Sequence, residues 1–161
     1  MKSLKFLIAA LTLSLLWSCA KPAPQEQLLE TKTCLECDLT AAELAQADLT
    51  EARLNRSNLQ NANLSQANLS KALLDSVNLS SANLTEANLS AAALSSANLS
   101  GADLTRANLS GAFLRNADLT NANLTGTNLS NSDLSNAKLE GATLEGTNLQ
   151  GAILPDAKIQ P

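Results

Sequence analysis

Two cysteines, Cys34 and Cys37, have the residue type and the spacing that most clearly indicate chemistry in this chain. The C-x-x-C spacing is compatible with three arrangements. A disulfide forms readily in an oxidising compartment, although so short a loop adds only a modest stabilisation. A thioredoxin-like redox pair requires a βαβ context that the pattern lacks, and a zinc site requires further Cys or His ligands. The disulfide is the interpretation that we favour among the three.

Other catalytic arrangements find little support, because the chain contains no histidine, the commonest general base and metal ligand. The serines recur at repeat positions without a nucleophile-elbow motif. Gly141 and Gly146 have the spacing of a phosphate-binding loop, but Thr147 follows where that loop has lysine. Acidic residues are scattered along the chain. We therefore predict that the protein is not an enzyme and binds neither a cofactor nor a metal.

From Cys37 to Pro161 the chain is a five-residue repeat of twenty-five units without an insertion. The third position is Leu in every unit but the last, which has Ile159. The first position is small or short-branched, the second is usually Asn or Asp, and the fourth is usually Ser or Thr. Leucines five apart form no stripe on a helix, and on a strand they alternate between faces. A solenoid that bends after each unit points every Leu at one axis.

The tandem A(N/D)LSx units closely resemble the pentapeptide-repeat family over residues 37–161. The resemblance implies an all-β fold, a right-handed quadrilateral parallel β-helix with four units per coil and about six coils. With ~4.8 Å between paired backbones, the rod would be roughly 30 Å long. Leu and the small residue two before it are expected to point inward, while Asn, Asp, Ser and Thr lie outside near the corners.

Residues 1–18 are predicted to be a signal peptide. Lys2 and Lys5 precede an apolar segment, Phe6 to Leu16, that is too short to span a membrane. The residues that follow, up to Cys19, resemble a bacterial lipobox, which implies that Cys19 is diacylated and becomes the first mature residue. Ordinary cleavage after Ala20 is the alternative.

We therefore expect a lipoprotein on the periplasmic side of a bacterial membrane, with the soluble periplasm or the thylakoid lumen as alternative locations. Residues 19–36 are predicted to be a tether followed by an N-terminal cap. Within them, Gln25–Lys32 is expected to form two helical turns with Leu28 and Leu29 on one side. A cap is expected because solenoid ends expose apolar surface and unpaired backbone. A disordered leader is the alternative.

Residues twenty apart are predicted to stack, so the second positions of the units form four outer columns. One column is a predicted structural Asn ladder: Asp48, Asn68, Asn88, Asn108, Asn128 and Asn148. Another departs from the polar pattern, and we call it the apolar face: Arg53, Leu73, Ala93, Phe113, Asp133 and Ile153. Asp75 and Arg115 are expected to flank it.

Contiguous apolar surface often marks a contact site, so Leu73, Ala93, Phe113 and Ile153 are predicted to touch a protein partner. The alternatives are that this face simply tolerates apolar residues or packs on the N-terminal tail. The last coil has no clear cap, and a homodimer through that C-terminal coil is a further expectation.

These features predict a non-catalytic, exported scaffold, anchored to a membrane by lipid, that mediates protein–protein interaction. The family resemblance implies an alternative, an acidic DNA mimic that binds a topoisomerase or gyrase. Against it, the net charge after removal of the signal is a mild −6, from 9 basic and 15 acidic residues. A thiol-redox protein that uses Cys34 and Cys37 is the third possibility. Nucleic acid itself is not an expected partner, because no basic patch is present.

Overall fold

The computed structural model describes residues 23–155, and the chain within them forms one helix followed by a β-solenoid. Helix α1 spans Pro24–Thr31. Every bridge of the solenoid is parallel and joins a residue to the one twenty positions later, from Thr33 with Arg53 to Asp133 with Ile153. One coil is therefore four units of five residues. Within the described residues each unit contributes a single bridge residue, because the chain turns before a longer strand can form.

The unit Ala87–Ala91 illustrates how backbone hydrogen bonds hold the coils together. Asn88 N–H donates to Ala67 O in the preceding coil at 2.9 Å, and Leu89 N–H donates to Asn108 O in the following coil at 2.7 Å. The fifth residue of the unit also donates to the following coil, and the first closes the corner by donating to the residue three before it. Four of the five N–H groups thus find backbone acceptors.

The side chain at the second position satisfies the remaining N–H group. Asn88 Oδ1 accepts the N–H of Ser90 at 3.1 Å. The amide nitrogen of Asn88 donates in turn to Asn68 Oδ1 in the preceding coil at 3.3 Å, so the predicted Asn ladder is present. The preference for Asn or Asp two residues before Ser or Thr therefore has a local cause, since these side chains accept from the backbone two residues on.

The corner itself is formed by the fifth residue, which adopts a positive φ angle. The angle is 54° at Ala91 and 67° at Gly126. Glycine adopts this left-handed conformation without steric cost, whereas alanine pays a penalty for its Cβ atom. The inward first and third positions fill the axis with alternating small and large side chains, and Ala87 and Leu89 are both fully buried.

The solenoid begins one unit earlier than the repeat pattern predicted. Residues 32–36 (KTCLE) behave as a repeat unit, since Thr33 bridges Arg53 and Glu36 has the positive φ of a corner. Cys34 occupies the inward position that Leu holds elsewhere and is fully buried. This unit is not recognisable in the sequence, because Lys32 occupies the position of the small residue and Cys34 that of the leucine.

Helix α1 packs against the first coil through Leu28, which is fully buried in the core. Leu29 is 48% exposed, so the two leucines do not share the buried side, contrary to the expectation that both lie together. Gln25 Nε2 donates to Glu43 O at 3.1 Å and fastens the helix to the solenoid. Among residues 23–155, no helix has the length and apolar character to cross a bilayer. The predicted signal peptide, Cys19 and Ile159 lie outside the described residues.

Candidate interaction surface

The apolar face is one continuous column of adjacent coils. Parallel bridges join Leu73 to Ala93 and Ala93 to Phe113, and the column continues through Asp133 to Ile153. Leu73 is 40% exposed, Phe113 50% and Ile153 56%. Three large apolar side chains of one face therefore project into solvent. Leu74 and Leu114, beside the first two, are buried in the core, whereas Leu154 beside Ile153 in the last coil is exposed.

The apolar residues on this face lack a hydrogen bond that the polar residues on the other faces make, in which the side chain of the second position accepts the N–H two residues on. Leu73, Ala93 and Phe113 occupy the position where Asn or Asp would accept the N–H two residues later. Their side chains have no oxygen to accept it. Ser95 N–H donates instead to Asp75 Oδ1 in the preceding coil, at 3.1 Å. Apolar groups at these positions are thus both exposed to water and unable to support the corner.

Asp133 interrupts the apolar face between Phe113 and Ile153, yet it is only 7% exposed. Arg115 covers it, and the Arg115 Nε donates to Asp133 Oδ2. Asp133 Oδ1 also accepts from the hydroxyl and the N–H of Ser135 at 2.6 and 3.1 Å. Arg115 thus lies beside the apolar face, as expected. Its ion pair with Asp133 could not be predicted from its position in the repeat.

Acid is expected to destabilise the protein partly through Asp133. Hydrogen bonds from Ser135, aided by Arg115, lower the pKa of Asp133 from the ordinary 3.8 to about 2. Because the folded pKa is depressed, the stabilisation is present above the unfolded value and is lost as the pH falls from about 4 to about 2. Urea unfolding across this range should show a smaller loss of stability for Asp133→Asn, since Asn keeps the Ser135 bonds but does not titrate. An equal loss in both proteins would contradict this assignment.

A shallow groove of about 360 Å³ lies beside the N-terminal end of the apolar face. Its lining includes Leu35, Arg53, Asn55 and Asp75. Leu35 is 47% exposed and extends the apolar surface to the first coil. Sequence reasoning missed this residue because the segment before Cys37 was read as a cap rather than as a repeat unit.

The two cysteines occupy a corner of the first coil, Cys34 at the large inward position and Cys37 at the small one. Their sulfur atoms lie at disulfide-bonding distance, and their Cα atoms are 5.5 Å apart. The usual corner bond would run from Cys37 N–H to Cys34 O. The buried Ser57 hydroxyl bridges these two groups instead. It donates to Cys34 O at 2.6 Å and accepts the N–H of Cys37 at 3.1 Å. Across residues 23–155, no cluster of His, Cys, Asp and Glu suited to a metal ion is found.

A family model described as pentapeptide repeats matches the chain in eight copies, over residues 37–75, 62–101, 72–111, 97–136 and 127–160. Together these matches cover the solenoid almost completely. No curated protein matches the chain significantly.

Solved structures of similar proteins include the pentapeptide repeat protein Rfr23 from the cyanobacterium Cyanothece 51142. It is 29% identical over 81% of this chain and 97% of its own, with a TM-score of 0.39. QnrB1, a plasmid-mediated fluoroquinolone resistance protein, is 25% identical over 74% of this chain and 61% of its own, with a TM-score of 0.47. A pentapeptide repeat protein from the thylakoid lumen of Arabidopsis thaliana is 26% identical over 87% and 76%, with a TM-score of 0.30.

Proposed function

The chain belongs to the pentapeptide-repeat family, and from that premise we propose that it is a non-catalytic, exported scaffold that binds another protein through the apolar face. One observation carries the proposal. Leu73, Ala93 and Phe113 follow one another on adjacent coils, stand outward, and replace residues that would otherwise support the corners. Exposed apolar surface surrounded by polar groups is typical of protein contact sites.

The scaffold is a right-handed, four-sided rod of about six coils with α1 as its N-terminal cap. The regular bonding between coils supports a stiff rod, because each unit is held to the coil before it and the coil after it. A stiff scaffold presents the apolar face in a fixed shape, which reduces the entropy lost on binding. Burial of Leu28 against the first coil supports the capping role of α1.

A diacylated Cys19 anchors the rod to a bacterial membrane, and the short segment before α1 is the tether. The proposed export is consistent with a disulfide between Cys34 and Cys37, since such bonds persist in oxidising compartments. Mass spectrometry of the mature protein tests both features. We expect a lipid-modified Cys19 at the N-terminus, and no reaction of Cys34 or Cys37 with a thiol reagent before reduction. An unmodified N-terminus at Lys21, or two reactive thiols, would remove the corresponding feature.

The acidic DNA-mimic alternative is less well supported by the charges of the solenoid. Several acidic side chains are paired with a cation in the neighbouring coil, as in Arg56 with Glu36 at 3.1 Å and Lys138 with Asp118 at 3.1 Å. Such pairs reduce the continuous negative potential that a mimic of DNA requires.

Replacing Phe113 by aspartate should abolish capture of a protein partner from solubilised membranes. The fold should survive, because substitution of an exposed side chain usually changes the free energy of unfolding by less than ~1 kcal/mol. Asn83→Asp is the matched control. It adds the same charge on another face, at a position where Asp103 shows that aspartate accepts the N–H two residues on, as asparagine does. A large loss of stability, or capture that Phe113→Asp leaves intact, would contradict the proposal.

A further inference from the structure

We infer that the partner of the apolar face is a second copy of this chain, docked antiparallel and face to face about a two-fold axis that passes by Ala93. This inference rests on the proposed function, since it names the occupant of the contact surface proposed there. It is carried by the order of charges and side-chain sizes along the face, which is self-complementary when the face is read in reverse.

Ala93 is the midpoint of the column that the parallel bridges define. The column starts at Thr33, ends at Ile153, and advances by twenty residues at each coil. A two-fold axis in the interface, perpendicular to both rods, reverses the order of the coils and keeps each column opposite itself. An axis at Ala93 therefore overlaps the two solenoids along their whole described length.

With this axis the apolar side chains meet one another. Leu73 lies opposite Phe113 of the second copy, Phe113 opposite its Leu73, and the two Ala93 residues meet at the centre. Sheets that pack face to face stand about 10 Å apart, so side chains of this size fill the layer between them. The space that the two small alanines leave is available to the two Phe113 rings.

The charges on the same face become complementary at the same time. Arg53 lies opposite Asp133 of the second copy, and Arg53 forms no ion pair within residues 23–155. In the neighbouring column, Asp75 lies opposite Arg115 of the second copy. Asp75 likewise has no ion pair among the described residues, whereas Arg115 already holds Asp133. Each half of the dimer thus contains a four-charge network of alternating sign: Asp75, Arg115, Asp133 and Arg53.

Other arrangements lose this match. A parallel dimer places Arg53 opposite Arg53, which is repulsive. Moving the antiparallel axis by half a coil in one direction places Leu73 opposite Asp133 and Arg53 opposite Ile153, and in the other direction it places Arg53 opposite Phe113. Both shifts separate Asp75 from Arg115. The register with complementary charges is therefore also the register in which the two rods overlap fully. Opposing like charges across an interface are unfavourable, which disfavours the other arrangements.

The area of contact predicts a weak dimer. The seven stacked residues of the column, Thr33 to Ile153, at ~4.8 Å spacing and on a face about 10 Å wide give a small flat contact, below the size of stable interfaces. Exposed Leu35 of one copy and half-buried Pro155 of the other meet at each end and add apolar contact. Two copies anchored in one membrane, with their rods lying along its surface so that both N-terminal anchors reach it, would meet at a high effective concentration, which strengthens a weak contact without new interactions.

Sedimentation equilibrium of the purified protein, from micromolar to millimolar concentration, tests the inference. We expect a reversible dimer whose dissociation constant rises at least tenfold in Phe113→Asp and stays unchanged in Asn83→Asp. A dimer that Phe113→Asp leaves intact, such as one through the C-terminal coil, would overturn the inference.

Two further variants test the register. Arg53→Glu should weaken the dimer, and should weaken it less in an Asp133→Asn background, because the repulsion between the two acidic groups is then removed. Leu73→Cys and Phe113→Cys proteins should be joined by a short bis-maleimide when mixed, and neither should be joined to itself. Cross-linking of each variant to itself but not in the mixture would indicate parallel rods and would overturn the antiparallel geometry.

The outcome also separates this inference from the proposed function. A wild-type protein that stays monomeric at millimolar concentration, but captures a different protein through Phe113, would overturn the self-association and leave the contact site in place. A monomer that captures nothing through this face would overturn both.

Discussion

Leu94→Ala is expected to lower the free energy of unfolding by about 2–5 kcal/mol, the range for removing a buried leucine side chain. Leu94 is fully buried at the centre of the stack, directly beneath the apolar face. Its N–H donates to Phe113 O in the following coil at 2.8 Å, and Ala93 N–H donates to Ala72 O in the preceding coil at 2.9 Å. Because the backbone is bonded on both sides, the coil cannot collapse into the cavity.

The matched control is Leu144→Ala in the last coil. Leu144 has the same place in its repeat unit but is only partly buried, since no described coil follows it. Leu144→Ala should lower the free energy of unfolding by less than half as much as Leu94→Ala, because removing this side chain breaks fewer contacts and leaves no closed cavity. Urea denaturation of both variants checks the difference. Equal losses would mean that central and terminal leucines are equivalently packed, which is incompatible with this core.

Ala92→Leu is expected to destabilise the protein by about 1–3 kcal/mol or more, through overpacking. Ala92 is fully buried at the small inward position and faces the axis that the leucines already fill. A longer side chain there must push against neighbours whose backbones are fixed by coil-to-coil bonds. Thermal unfolding measured by far-ultraviolet circular dichroism would detect the loss.

Ala92→Val is the control, because the protein itself contains a valine at an equivalent position. Val77 is 1% exposed at the small inward position of its own unit, and the coil around it keeps its regular bonds. Valine at position 92 should therefore be tolerated far better than leucine. A leucine variant as stable as the valine variant would show that the axis has free space and that the size rule of the first position is wrong.

Most of the fold is a local consequence of the repeat. The corner bond from Ala92 N–H to Leu89 O and the bond from Ser90 N–H to Asn88 Oδ1 join residues at most three apart. A single unit therefore encodes its own turn, and the inward or outward direction of each side chain follows from its place in the unit. This is why the β-solenoid and the buried leucines were predictable from a pattern of five letters.

The candidate site was predictable only in part. Stacking residues twenty apart placed Leu73, Ala93 and Phe113 on one face, but the spacing of twenty came from the family resemblance and not from the pattern. The repeat did not reveal that Arg115 reaches Asp133 eighteen residues later and covers it. It also concealed Leu35, because the unit 32–36 lacks the leucine and the small residue that mark a repeat.

The sequence by itself determined the turn at every fifth residue, the inward leucines and the absence of any histidine, because each is a property of one unit or of composition. Only the tertiary structure decided the start of the first coil at residue 32, the Ser57 hydroxyl inserted between Cys34 and Cys37, and the ion pair that buries Asp133. These features join different coils. They depend on which side chains are in contact across a spacing of about one coil, and a five-residue pattern does not specify these contacts.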